Sequence, residues 1–167
     1  MVRNGDWIPT IPTLAKRMTD YVEALESNGR YPLCIWPPHC LIGSWGHGVV
    51  TQLYTTLLEW EKTPPAMVNY VNKGSNPYTE HYSAIKADVP DADDASTQVN
   101  TQLVARLMEA DIVVIAGEAS SHCVANTVRD IANGVGDASD VFLVPTRRRG
   151  NAEAPRWRCE ESSILAS

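Results

Sequence analysis

The sequence predicts an α/β domain built on a mostly parallel sheet, with helices on both faces. Three observations predict it. Residues 111–117, DIVVIAG, are a continuous apolar run rich in β-branched side chains, the texture of a strand covered on both sides. Helically spaced apolar residues flank that run, over 97–110 and from Cys123 to about Gly134. Strand-like and helical segments alternate along the chain, and right-handed crossovers then place helices on both sides of the sheet.

The elements follow in order. Residues 10–28 repeat Leu14, Met18, Tyr21, Val22 and Leu25 at helical spacing, closed by an Asn28–Gly29 C-cap. YPLCIWP (31–37) predicts a short buried strand stopped by Pro37 and Pro38. HCLIGSWGHG is a glycine-punctuated loop. Its GSWGHG part lacks the GK[ST] ending of a phosphate loop and reads as a tight turn. VVTQLYTTLLEWEK (49–62) is helical, Thr63-Pro64-Pro65 breaks it, and AMVNYVNK (66–73) predicts a second strand. The polar connection 74–96 exceeds the usual length of a structureless loop, which marks it as functional. Ser96 or Thr97 can cap the helix over 97–110. Beyond the strand 111–117, the helix after Cys123 turns Val124, Thr127, Val128 and Ile131 inward, and DVFLVP (140–145) is a last strand.

Composition narrows the function. A chain of 167 residues with 44% hydrophobic content fits one domain with a real core. Its formal charge of −6 argues against a nucleic-acid surface. The charge also argues against a polybasic membrane contact, and no apolar run approaches the eighteen or so residues of a membrane helix. The start, MVRNGDWIPTIP, lacks the apolar core of a signal peptide. Cys34, Cys40, Cys123 and Cys159 form no CxxC pair and no zinc spacing, so they read as reduced thiols of a cytoplasmic protein.

Ligands of such sheets bind at the carboxyl ends of the strands. The residues just past the predicted strands are Trp36 to His39, Lys73 with Gly74, and Glu118 to Cys123. A tryptophan, a histidine, a lysine and a helix-opening cysteine therefore converge on one rim. A helix N-terminus stabilises an anion, and Lys73 can add a full positive charge, so Cys123 is a candidate nucleophile. Backbone N–H groups of the turn 119–123 can hold the oxyanion of a tetrahedral intermediate. The chemistry this favours is hydrolysis of an amide or ester through a thioester. His122, His39, His47 and His81 are candidate bases by type. First-turn neighbours on a helix point apart, so His122 suits the pocket wall better than the base. Trp36, His39, Glu118 and His122 are the candidate substrate-binding residues; Glu80 and His81 are read as ordering the long loop.

Three blocks, in order, resemble a known family. WPPHCLIGSWGH (36–47) is similar to the pattern W-P-x-H-C-x-x-G-[ST]-x-G. VNKGSNPYTEHYSAI (71–85) is similar to a lysine block, and GEASSHCV (117–124) to a nucleophile block that follows a strand. These are marks of the nicotinamidase/isochorismatase-like cysteine hydrolases, and they span residues 31–145. The resemblance implies a three-layer αβα sandwich and a Cys–Asp–Lys triad, with Cys123 as nucleophile and Lys73 as its lysine. It implies oxyanion donors at the amides of Ala119 and Cys123, a cis peptide between Glu118 and Ala119, and a small carboxamide as substrate. It implies no cofactor.

The chain departs from the family at both ends. The D-x-Q-x-D-F block that carries the triad aspartate is absent, as are the first strands and the D-x-H segment of metal ligands, so no metal site carries over. Thr146–Ser167 holds five arginines against three glutamates and has no sustained apolar period. Residues 1–145 thus read as a partial hydrolase domain and 146–167 as an atypical, poorly ordered tail. An internal piece of a longer hydrolase is expected to expose a sheet edge and to self-associate as a homo-oligomer or otherwise. Two other readings compete with a hydrolase: a non-catalytic small-molecule-binding or scaffold domain, and a redox-responsive thiol at Cys123.

Overall fold

The structure, a computed structural model, describes residues 4–6, 8–28 and 30–134, together with the backbone of 140–143 and 156–157. The tail expected over 146–167 otherwise lies outside the described residues, as do Gly29 of the expected cap and the end of the strand 140–145.

A 3₁₀ turn at Pro12–Leu14 leads into α1, Ala15–Ser27. Leu25 is its buried residue, and the N–H of Asn28 closes the last turn on the Ala24 carbonyl. Thr51–Glu61 forms α2, after a 3₁₀ turn at Trp45–His47 where a tight turn was expected. The third helix starts later than Ser96 or Thr97. Those two residues belong to a separate 3₁₀ turn, Ala95–Thr97, capped by Asp94. Asn100 then caps α3, Thr101–Met108, by accepting the Leu103 N–H at 3.0 Å. The apolar run contracts to β1, Ile112–Ile115. α4 spans Cys123–Gly134, and Asp140–Leu143 forms β2.

β1 and β2 pair in parallel, Ile112 opposite Asp140 through Ile115 opposite Leu143. With α4 between them they form a βαβ unit. Arg156–Trp157, as β3, adds antiparallel to β2, so β1 lies at the edge. One face of β1 is covered: Ile115 packs with Leu103, Val104 and Leu107 of α3 around buried Ile85 and Ile131, and Val113 on the same face is buried. The other face carries Ile112 and Val114, 61% and 62% exposed.

The segments 31–37 and 66–73 correct the sequence reading, for neither forms a strand. A strand needs neighbours for its N–H and C=O groups. Pro32 and Pro37 remove two donors from the first segment, and Val68 in the second spends its N–H on the Glu61 carboxylate at 2.8 Å.

The long connection 74–96 has no α-helix or strand, only the 3₁₀ turn at its end, and yet builds the core. Tyr82, Ser83, Ile85 and Ala87 are buried along it. Hydrogen bonds meet most of its polar needs, Oε2 of the Glu80 carboxyl excepted: Ala87 N–H bonds Thr97 O, Asn100 N–H bonds Ile85 O, and Asn76 Nδ2 bonds both Asp91 and Asp94. Thr97, 1% exposed, donates its hydroxyl toward the Asp91 and Asp94 carbonyls and accepts the Asp91 N–H. Satisfied polar groups let an irregular segment be buried at low cost. No helix among the described residues is long and apolar enough to cross a membrane.

Candidate active site

The sequence places Cys123 just beyond a strand expected to be covered on both faces; β1 is covered on one face only, and Cys123 is the first residue of α4. Gly117 carries the chain out of β1 at φ 154°, a conformation that side chains disfavour, and lies against Val124. The Glu118–Ala119 peptide is cis. The Ala119 carbonyl then accepts the N–H groups of His122 and Val124, both at 3.1 Å, which folds the turn onto the helix start. Thr127 Oγ1 donates to the Cys123 carbonyl at 2.8 Å and also accepts the Ala84 N–H at 3.0 Å, tying α4 to the buried loop.

Lys73 reaches this helix end. Its Nζ lies 3.6 Å from Cys123 Sγ and donates to the His81 carbonyl at 2.8 Å. The two residues are fifty positions apart in the chain, and the structure brings them together. Among the described residues no carboxylate is hydrogen-bonded to Lys73.

Beside the thiol stands an aromatic wall. Tyr31 stacks on His122 with ring centres 4.6 Å apart, Trp36 meets His122 edge-on at 5.4 Å, and Tyr82 lies at 5.4 Å from the same ring. Trp36 Nε1 donates to the Tyr82 hydroxyl at 3.0 Å, and the Tyr31 hydroxyl donates to the Ser121 carbonyl. His122 Nδ1 sits 2.9 Å from Ser121 Oγ. His122 is thus held as part of the wall. His39 lies further out, bonded through Nδ1 to the Pro37 carbonyl at 2.6 Å with its ring 6.4 Å from Trp36. Glu118 is exposed at the turn. His47 ends an exposed 3₁₀ turn and does not join the site. His81 joins it through its carbonyl.

A buried polar frame supports the wall. Arg30 pairs with Asp130 and donates to Asn126 Oδ1 at 3.3 Å, joining the segment before Tyr31 to α4. Asn126, fully buried, returns its Nδ2 to the His122 carbonyl at 2.9 Å. Burial pushes Glu80 up to about 6, helped by the charge of Asp88 and opposed by the Tyr82 hydroxyl. Asp88 is also raised by burial, against the Tyr82 N–H, Arg30 and Lys73. Burial lowers His81, and the Lys73 charge adds to that. Tyr82 is pushed up to about 12, mainly by burial.

Tyr31, Tyr82 and the Arg30–Asp130 pair escape the sequence reading. Tyr82 is the tyrosine of the Y-S-A that marks the quoted lysine block, yet the sequence reading gives it no role at the site. Arg30 and Asp130 are a hundred residues apart, and no local pattern joins them.

Among the described residues no three His, Cys, Asp or Glu side chains are grouped to hold a metal. Comparison with protein-family models, with curated proteins and with solved structures finds no match to this chain.

Proposed function

We propose that this chain is a cysteine hydrolase of the nicotinamidase/isochorismatase-like kind, with that family's αβα sandwich, acting on a small carboxamide in the cytoplasm. The observation that carries the reading is the 3.6 Å approach of the Lys73 ammonium to the Cys123 sulfur at the first residue of a helix. Both the ammonium and the helix end favour S⁻ over SH. The thiolate attacks the amide carbonyl, and the amides of Ala119 and Cys123 receive the oxyanion. The C–N bond breaks, the leaving nitrogen takes a proton and departs as ammonia or an amine, and water cleaves the thioester to release the acid. Trp36, His39, Glu118 and His122 line the substrate's side of the site. This chemistry uses no metal and no cofactor.

The net charge of −6 fits a small-molecule partner better than nucleic acid. The exposed apolar surface over 31–73 and on β1 supports self-association.

A second reading has one observation in its favour. With no carboxylate among the described residues hydrogen-bonded to Lys73, the proton shuttle of the triad has no aspartate there, as in a binding domain that keeps the pocket and not the chemistry. Ammonia release from nicotinamide and a panel of small amides separates the two. Release that disappears in Cys123→Ala is expected; a silent wild type that still binds these amides would replace the hydrolase with the binding domain.

A further inference from the structure

We propose that Glu80 is a positioning residue for the aromatic wall, its buried carboxyl group fixing Tyr82 and, through Tyr82, Trp36 and His122. The inference rests on the reading that this wall receives the ligand.

The Glu80 backbone is fixed on both sides. Its N–H donates to the Tyr21 hydroxyl at 3.0 Å, and its carbonyl accepts the Asp88 N–H at 2.9 Å. Its side chain is less settled: Oε2 is buried and has no hydrogen-bond partner. A buried carboxylate oxygen in that condition carries an uncompensated desolvation cost, and it drives the group either to keep a proton or to draw in a donor. The donor at hand is Tyr82, two residues on, whose hydroxyl already accepts the Trp36 Nε1–H at 3.0 Å and has its own proton to give. A chain from Trp36 N–H to Tyr82 O–H to the Glu80 carboxylate therefore has consistent polarity from end to end. Between Glu80 and Tyr82, the His81 carbonyl holds Lys73. One short clip of chain thus reaches both the wall and the ammonium.

The charges facing the clip come from several elements. Asp88 and Tyr82 act on Glu80, and the Tyr21 hydroxyl of α1 feels its charge. Asp88 in turn faces Arg30, Asp130 of α4 and Lys73, and Cys34 acts on Tyr82. Burial, adding to the Asp88 charge, holds the Glu80 carboxyl near 6. The proton therefore leaves as pH rises through that value, and the anion then draws the Tyr82 hydroxyl and tightens the wall.

Trp36 is the reporter. The difference in emission between wild type and Trp36→Phe, titrated from about pH 5 to pH 8, is expected to show an inflection near 6 that Glu80→Gln removes. An inflection that survives in Glu80→Gln would assign the titration to another group and overturn the proposal. In the ammonia-release assay with the amide that turns over, Glu80→Gln at pH 7.5 is expected to raise KM up to about tenfold with kcat unchanged, the difference between a charged acceptor and a neutral amide oxygen for the Tyr82 O–H. A fall in kcat at constant KM would also overturn it. The emission arm needs no turnover: an inactive wild type that keeps the Glu80-dependent inflection defeats the hydrolase and leaves the positioning role standing.

Discussion

Residues 31–73 and residues 74–134 contrast sharply. Nine of the ten buried residues among those described lie between Tyr82 and Ile131, and none lies between 31 and 73. The first stretch contains a regular helix, α2, with no buried residue, and leaves Leu53, Tyr54, Leu58 and Trp60 exposed. The second contains a long segment without regular structure that is buried and internally bonded. Burial here follows hydrogen-bonded polar groups and apolar side chains, not helix content. The candidate site straddles the two. Cys123 stands on the supported side, while Lys73 and Trp36 reach it from the other, anchored through His81 and Tyr82.

The contrast breaks first, if it breaks, at the polar frame. Asp130→Ala strips Arg30 of its charged partner on α4, and truncating the buried member of the pair costs about 3 kcal/mol; urea unfolding measures it. Ile131→Ala, within the apolar cluster, is expected to cost about 2–4 kcal/mol. Leu53→Ala on α2 is expected to cost about 0.5 kcal/mol or less, since its side chain is already in water. Equal losses at Ile131 and Leu53 would mean that α2 is packed in solution and would erase the distinction. Between these two lies the cap: Asn100→Ala removes the acceptor of the Leu103 N–H and is expected to lower stability by about 1 kcal/mol.

Glu80 gives a pH dependence of opposite sign to an ordinary ion-paired carboxylate. Its folded value, about 6, lies above its ordinary value of 4.5, so the folded state holds the proton more tightly. Stability from this group is therefore greatest below pH 4.5, falls as pH rises to 6, and is level above. Glu80→Gln is expected to exceed wild type by about 1 kcal/mol at pH 8, after allowance for the group's partial contact with water, and to match it near pH 4. Thermal unfolding at the two pH values checks the sign.

Several elements were legible in the sequence for stated reasons. IVVI and the helix after Cys123 follow from periodicity, whereas Lys73 and Trp36 were placed beside Cys123 by way of strands that do not form, and they reach it from irregular segments. The segments 31–37 and 66–73 misled because β-branched and aromatic residues signal a strand only when a neighbour supplies the ladder. The start of α3 misled because Ser96, Thr97 and Asn100 are all good caps, and Asp94 claimed the first two for a separate turn. The wall of Tyr31, Trp36, Tyr82 and His122 was only partly visible, since its four rings come from three distant segments.

The most direct test is competitive alkylation. With limiting iodoacetamide at neutral pH, the rate at each cysteine is read by peptide mass spectrometry in wild type and in Lys73→Met. Cys123 is predicted to react faster than Cys34 and Cys40, although both of those are more exposed, and to lose that lead in Lys73→Met. A Cys123 no faster than the exposed thiols, or one indifferent to the loss of Lys73, would contradict the claim that the ammonium activates the sulfur.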